Sequence, residues 1–211
     1  GRYLPDRGKI VLDGVEITRW SEHRRANQIG RVFQDPMQGT AASMTIEENL
    51  SMAEFRGKRR TLGRGVTRGG RSRYRELLAQ LGLGLENRLR SEVRLLSGGQ
   101  RQSLSLIMAT MTRPSLLLLD EHTAALDPKT AQQVLDLTTR IVAEYGLTTL
   151  MVTHNLEHAL RIGNRTIMMH EGRIVLDLSG DERARMTVPD LLQEFSRVRG
   201  LELVDDRLLL A

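Results

Sequence analysis

The sequence predicts an α/β protein whose sheet runs parallel in its second half. Two observations carry that reading. Compact apolar runs at 115–119 and 148–153 have the length and bulk of buried strands, and segments with apolar residues at helical spacing separate them. Strands joined through helices are the pattern of a parallel sheet, because parallel neighbours need a long crossover. A chain of 211 residues is also long enough to bury a sizeable core.

The elements follow in order. Residues 9–12 and 15–17 flank Asp13-Gly14, a dipeptide that supplies the positive φ of a tight hairpin turn. Residues 29–33 are a second short strand. From 45 to 81 the pattern is helical but broken. Its middle, 58–72, is rich in glycine and almost free of apolar residues, which predicts a flexible surface loop. A helix is expected over 98–112, the first buried strand over 115–119, an amphipathic helix over 129–144 and a second buried strand over 148–153. A short helix closes at 158–161. A hairpin at 166–169 and 173–176 then turns through Glu171-Gly172. In the tail, Val188, Leu191, Leu192, Phe195 and Val198 lie at helical spacing and predict a helix packed on the domain. Residues 201–211 fit either a last strand or a frayed end.

Composition excludes several classes. The chain has no cysteine, so disulfide scaffolds, thiol catalysis and cysteine zinc sites are out. The longest aliphatic run, 116–119, is far short of the ~20 residues a membrane span needs. The first residues have no apolar core of a signal peptide. The expectation is a soluble, cytoplasmic chain. The net charge of +5 suggests nucleic acid, but its location argues otherwise. Nine basic residues and no acidic ones lie between Arg56 and Arg75, and the remainder carries 22 basic against 26 acidic residues. The basic stretch also lacks the interleaved aromatics that base stacking uses, with Tyr74 its only ring.

Two short segments carry the chemistry. Four leucines ending in Asp120-Glu121 describe a central strand whose C-terminal end opens into a crevice, where α/β sheets bind ligands. An Asp there can hold Mg²⁺, directly or through water, and the next carboxylate can orient and deprotonate an attacking water. Taken alone, the same letters also fit a buried strand running into an acidic loop. Upstream, Leu96-Ser97-Gly98-Gly99-Gln100 places a serine N-cap and two glycines at a helix start, leaving backbone N–H groups beside the positive end of the dipole. That is a phosphate site in waiting, although taken alone Ser-Gly-Gly also fits a plain serine N-cap.

LSGGQ followed by LLLLDE resembles the signature and Walker B motifs of the ATP-binding cassette (ABC) ATPases. Three further positions fit the same pattern in order. Gln34, in Val-Phe-Gln-Asp-Pro, resembles the Q-loop glutamine; Asp127, in Ala-Ala-Leu-Asp-Pro, resembles the D-loop; His154, after the 148–153 strand, resembles the switch histidine. The resemblance implies a P-loop NTPase-like ABC nucleotide-binding domain over 1–211, with a mixed sheet and a helical signature subdomain at about 45–112. It implies ATP and Mg²⁺ as cofactors, Glu121 as general base, and Asp120 with Gln34 at the metal. His154 and Gln34 would sense the γ-phosphate and the water. Ser97, Gly98, Gly99, Gln100 and Asp127 would contact nucleotide across a head-to-tail dimer. His122, where many members have Pro, is read as a loop residue, and the DEHTAALDP spelling resembles a bacterial importer subfamily associated with tryptophan and tyrosine.

The implied role is the ATP-hydrolysing subunit of a membrane importer of small solutes, amino acids among them, peripheral at the inner face of the cell membrane. Its implied partners are an integral membrane permease, a second nucleotide-binding subunit and a solute-binding protein, with no specific nucleic acid. A soluble ABC ATPase of DNA repair or translation is the alternative, although no coiled-coil insertion, zinc module or second cassette is present within 211 residues. The family's Walker A motif, G-x-x-x-x-G-K-[ST], does not occur in the sequence. Residues 1–8 resemble the segment after the P-loop helix. Two readings of that stay open: an N-terminally truncated, catalytically incomplete chain, or a natural subunit that offers only its LSGGQ to a complete partner. In either, the chain alone is expected to be inactive, poorly soluble, and open at the edge beside 116–119.

Overall fold

The computed structural model describes residues 3–58 and 65–199. They belong to two compact units, one ending at Met151 and the other starting at Val152. The first opens on an antiparallel hairpin of β1 (Val11–Leu12) and β2 (Val15–Glu16), in which Val11 faces Glu16 and Leu12 faces Val15. Asp13 and Gly14 sit at φ of 49° and 76°, the paired left-handed residues that a two-residue hairpin loop demands. After α1 (Glu22–Arg25), a single turn that no apolar periodicity announces, the chain enters β3 (Ile29–Val32).

Two helices follow, α2 (Ile46–Glu54) and α3 (Arg68–Ala79). Thr45 and Glu48 close a reciprocal capping box at the start of α2. The predicted loop over 58–72 is corrected here, because α3 begins at Arg68 and takes in two glycines; residues 59–64 lie outside the described residues. Tertiary contacts override the cost of those glycines. Thr67 caps the Gly70 N–H, Tyr74 and Leu78 are buried, and the Arg71 guanidinium forks onto Glu47 of α2 at 2.6 and 2.9 Å. Arg73 pairs with Glu54, which also accepts the Tyr74 hydroxyl. Burial and that carboxylate push the Tyr74 phenol up to about 12.

The chain then forms α4 (Gly98–Thr110), β4 (Leu116–Asp120), α5 (Pro128–Tyr145) and β5 (Thr149–Val152). The three strands lie in the order β3-β4-β5, with β3 and β4 parallel and Ile29 through Val32 registered on Leu116 through Leu119. The Leu117 N–H reaches the Thr148 carbonyl at 2.9 Å. β4 therefore has a neighbour on each side, and the open edge expected beside it is not present. β5 corrects a second expectation. It alternates rather than being buried throughout, with Leu150 53% and Val152 52% exposed.

Helix α4 lies against the β3–β4 pair. Val32, Leu117 and Leu119 from the strands share one core with Leu104, Leu106 and Ile107 of α4, Leu50 of α2 and Leu78 of α3. Each such side chain removed from water contributes roughly 1.5–3 kcal/mol. The approach is close enough that a Cβ on Gly30 would stand 2.6 Å from the Ala109 carbonyl oxygen and 3.0 Å from Pro114.

The second unit is built on a hairpin of β6 (Arg165–His170) and β7 (Arg173–Ser179), turned through Glu171 and Gly172 at φ of 47° and 76°. It also holds α6 (Leu156–Arg161), α7 (Gly180–Arg185) and α8 (Val188–Arg199). Arg183 donates to the Ile162 carbonyl at 2.8 Å and to the Thr166 hydroxyl at 2.9 Å, tying α7 to β6 and to the end of α6. The expected tail helix is α8, and it buries Leu191. The expectation for 201–211 lies outside the described residues.

Gly30→Ala tests the α4–β3 approach. The added methyl meets backbone and a proline ring rather than a flexible side chain, so the substitution should destabilise by about 1–3 kcal/mol, read as a lower denaturation midpoint at unchanged slope.

Candidate functional site

Two groups of predicted site residues assemble within the first unit. At the C-terminal ends of the parallel pair, β3 runs out through Phe33 to Gln34 while β4 runs out through Asp120 to Glu121. Gln34 and Glu121 each lie two residues past the last registered pair, Val32 and Leu119, and so leave the same end of the sheet. Gln34 is exposed. Glu121 sits at φ 42°, a left-handed conformation that costs a non-glycine residue on the order of 1 kcal/mol and is held where surrounding structure over-determines it. Its carbonyl accepts the Ala124 N–H at 3.0 Å, which closes a turn. The next residue, His122, is only 2% exposed, and its Nε2 meets the Thr138 hydroxyl of α5 at 3.1 Å. The loop residue of the sequence reading is thus a buried peg that holds the strained turn against α5.

Asp120 has a partner that the motif does not specify. Arg31 of β3 donates from Nη2 to its Oδ2 at 2.9 Å, and the same guanidinium stacks over the Phe33 ring at 4.4 Å. The pair is about half exposed, a setting in which an ion pair contributes roughly 0–1 kcal/mol. A single charge within the apolar run Ile29-Gly30-Arg31-Val32-Phe33 is the signal that could have found it. Among the described residues no group of three or more His, Asp or Glu side chains converges to cage a metal. A lone carboxylate at a strand end suits Mg²⁺ all the same, since that ion keeps waters and takes its remaining ligands from phosphates.

The second group joins the starts of α4 and α5. Ser97 caps α4: its hydroxyl accepts the Gln100 N–H at 3.3 Å, and the Gln100 side chain returns the bond to the Ser97 N–H at 3.1 Å. The Gln100 amide oxygen is therefore occupied within the cap. A hydroxyl that accepts one bond still has its own proton to donate outward. Ser97 and Gly98 are exposed, whereas Gly99 is buried. A Cβ at Gly99 would stand 2.2 Å from Thr130 Cγ2, and one at Gly98 would stand 3.3 Å from Leu126 Cδ2. The second glycine of the motif is thus required by packing, which brings the signature segment into contact with the residues around Asp127.

Asp127 itself caps α5, accepting the Thr130 N–H at 3.1 Å, with Pro128 in the first helical position. The Thr130 hydrogen bond holds its carboxyl below the usual aspartate value. Beside these helix starts a cleft of about 540 Å³ is lined by Leu83, Gln100, Thr130, Leu137 and Arg140 among others. His154, exposed and two residues past β5, belongs to the second unit.

Known proteins resemble this chain over most of its length. A family model described as ABC transporter matches residues 1–124. A tyrosine transport ATP-binding protein of Clostridioides difficile is 50% identical over 188 residues, covering 89% of this chain and 74% of that protein. A methionine import ATP-binding protein of Corynebacterium efficiens is 35% identical over 83% of this chain, which spans 47% of that relative's length. A solved ATP-binding cassette in a dimeric post-hydrolysis state, bound to ADP and phosphate, superposes with a TM-score of 0.68 at 26% identity, over 84% of this chain and 75% of that one.

The Asp127 cap has a pH signature. Its folded pKa lies below the unfolded value of 3.8, so its contribution to stability is complete above that value and is lost as pH falls through the folded pKa. Asp127→Asn, an uncharged cap, should flatten the loss of stability below about pH 4 and leave the neutral-pH midpoint almost unchanged, as read from denaturation curves across that range.

Proposed function

The chain belongs to the ABC transporter family, and from that premise we propose that it is the ATP-hydrolysing subunit of a bacterial importer of small solutes, amino acids foremost. The observation that carries the reading is the pairing of strand ends: Asp120 and the strained Glu121 leave β4 where Gln34 leaves β3. The names of the tyrosine and methionine transport relatives support an amino acid as cargo. No helix among the described residues is long and apolar enough to cross a membrane, so in this reading a separate integral membrane permease forms the path, and the nucleotide-binding subunit works beside it.

Mg-ATP supplies the phosphoryl group and the charge that organises its transfer. The chain's own residues divide the remaining work. Glu121 takes the proton of the attacking water, held in place by its turn and by the buried His122 behind it. Gln34 orients that water through its carboxamide. Asp120, together with Gln34, would hold the metal, and the Arg31 guanidinium has to yield or share Oδ2 for it to do so. Ser97 and the N–H groups of Gly98 and Gly99, at the positive end of the α4 dipole, would bind phosphate oxygens of a nucleotide carried by a second subunit. Asp127 would meet that subunit beside them, and His154 would contact the γ-phosphate. Such transfer depends on positioning and charge stabilisation, which accounts for the rigidity of the Glu121 turn.

Two measurements test this. Labelled Mg-ATP titrated against residues 1–211, and against the same chain with a Walker A segment supplied upstream of Gly1, should bind weakly to the first and tightly to the second. Equal binding would remove the assigned division of the site. In the binding-competent protein, Glu121→Gln should lower kcat by about 10²–10⁴-fold while ATP affinity is kept, and unchanged turnover would refute Glu121 as the base.

A further inference from the structure

Helix α4 holds the segment after β3 from one side. Gln102 is fully buried, and its Nε2 donates to the Phe33 carbonyl at 3.0 Å. Arg101 bonds the Val93 carbonyl at 3.1 Å and reaches the sulfur of Met37. One turn further along, the Ser105 hydroxyl stands 3.2 Å from the place of a Cβ on Gly39.

The Phe33 contact differs from the others in what it controls. The carbonyl of Phe33 lies in one rigid peptide plane with the nitrogen and Cα of Gln34. A donor that pins this oxygen therefore fixes the point from which the Gln34 side chain starts. Packing alone does not call for a glutamine here. The Gln102 Oε1 is buried without a hydrogen-bond partner, as is the Ser105 hydroxyl oxygen. A leucine would fill nearly the same volume and remove the orphaned Oε1, but it would leave the Phe33 carbonyl without this donor. What glutamine does that leucine cannot is hold the Phe33 carbonyl. Gln102 also lies five residues along α4 from Ser97, about 7.5 Å of continuous helix, so the phosphate-facing cap and the Gln34 anchor are two points on one rigid body.

We propose that Gln102 is a positioning residue for ATP hydrolysis, setting the place of Gln34 through the Phe33–Gln34 peptide and tying it to the Ser97 end of α4. The catalytic part rests on the ATPase reading; the structural part does not.

Gln102→Leu separates them. In the binding-competent protein its melting temperature should stay close to that of the wild type, one orphaned acceptor replacing another, while backbone amides of residues 34–39 exchange about tenfold faster and those of α4 and α5 are unchanged. Unchanged exchange at 34–39, or a uniform rise everywhere, overturns the positioning. In turnover, Gln102→Leu should lower kcat about tenfold with KM nearly constant, a loss typical of misplaced catalytic groups. In a Gln34→Ala background the same substitution should cost nothing further. Losses that multiply instead overturn action through Gln34. A wild-type protein inert toward Mg-ATP overturns the ATPase reading and the catalytic part with it, whereas the exchange arm still decides the contact.

Discussion

The packing of α4 on the parallel pair β3–β4 is the constraint from which the rest of the first unit follows. Gly30 is glycine because the Ala109 carbonyl comes too close for any side chain. With that contact set, the two ends of the helix acquire fixed surroundings. At the N-terminal end the Ser97–Gln100 box faces outward while Gly99 presses on Thr130 of α5. At the C-terminal end the Arg56 guanidinium arrives from beyond α2, bonding the Ala109 carbonyl at 3.2 Å and the Thr112 hydroxyl at 2.5 Å. A cation among the last carbonyls of a helix complements both the unpaired acceptors and the negative end of the dipole. Burial pushes the Arg56 pKa down, but an arginine remains charged in proteins, so the complement persists.

Arg56 also alters the meaning of the basic stretch. By composition, 56–75 is a run of nine basic residues with no acidic one. Among its described members, Arg56 is spent on α4, Arg71 on Glu47 and Arg73 on Glu54, and Lys58 stacks near the Phe55 ring. The acids that pair with Arg71 and Arg73 lie outside the window, on α2. A local charge count measures composition, and the field a partner meets is what remains after internal pairing.

The same distinction explains what could be read in advance. Ser97-Gly98-Gly99-Gln100, Asp120-Glu121 and the Asp13-Gly14 turn were legible because local chemistry dictates them: a cap needs a hydroxyl, a left-handed turn needs Asp-Gly, a strand-end acid interrupts a leucine run. The α3 start was hidden because Gly69 and Gly70 argue locally for a loop, and only the Glu47 fork and the burial of Tyr74 and Leu78 outweigh them. The role of His122 depends on Thr138, sixteen residues along and one helix away. Arg31 and Asp120 are 89 residues apart and meet only through strand register. In each hidden case the deciding partner is distant in sequence, which periodicity and capping rules do not address.

The two carboxylates at the end of β4 are held by different means, and the difference suits different tasks. Glu121 is fixed by its backbone: a strained φ, a turn closed on Ala124 and a buried histidine behind it. Asp120 is held by a half-exposed guanidinium, in a pair that contributes roughly 0–1 kcal/mol and weakens with salt. A divalent ion arriving with phosphate oxygens competes easily with such a partner, and the displaced Arg31 keeps a resting place over the Phe33 ring. In the proposed roles, a proton acceptor has to be in position before the water arrives, while a metal ligand has to be available to an ion that comes and goes with each nucleotide. Under that proposal one strand end would meet both needs, with strain under Glu121 and a weak, exchangeable ion pair on Asp120.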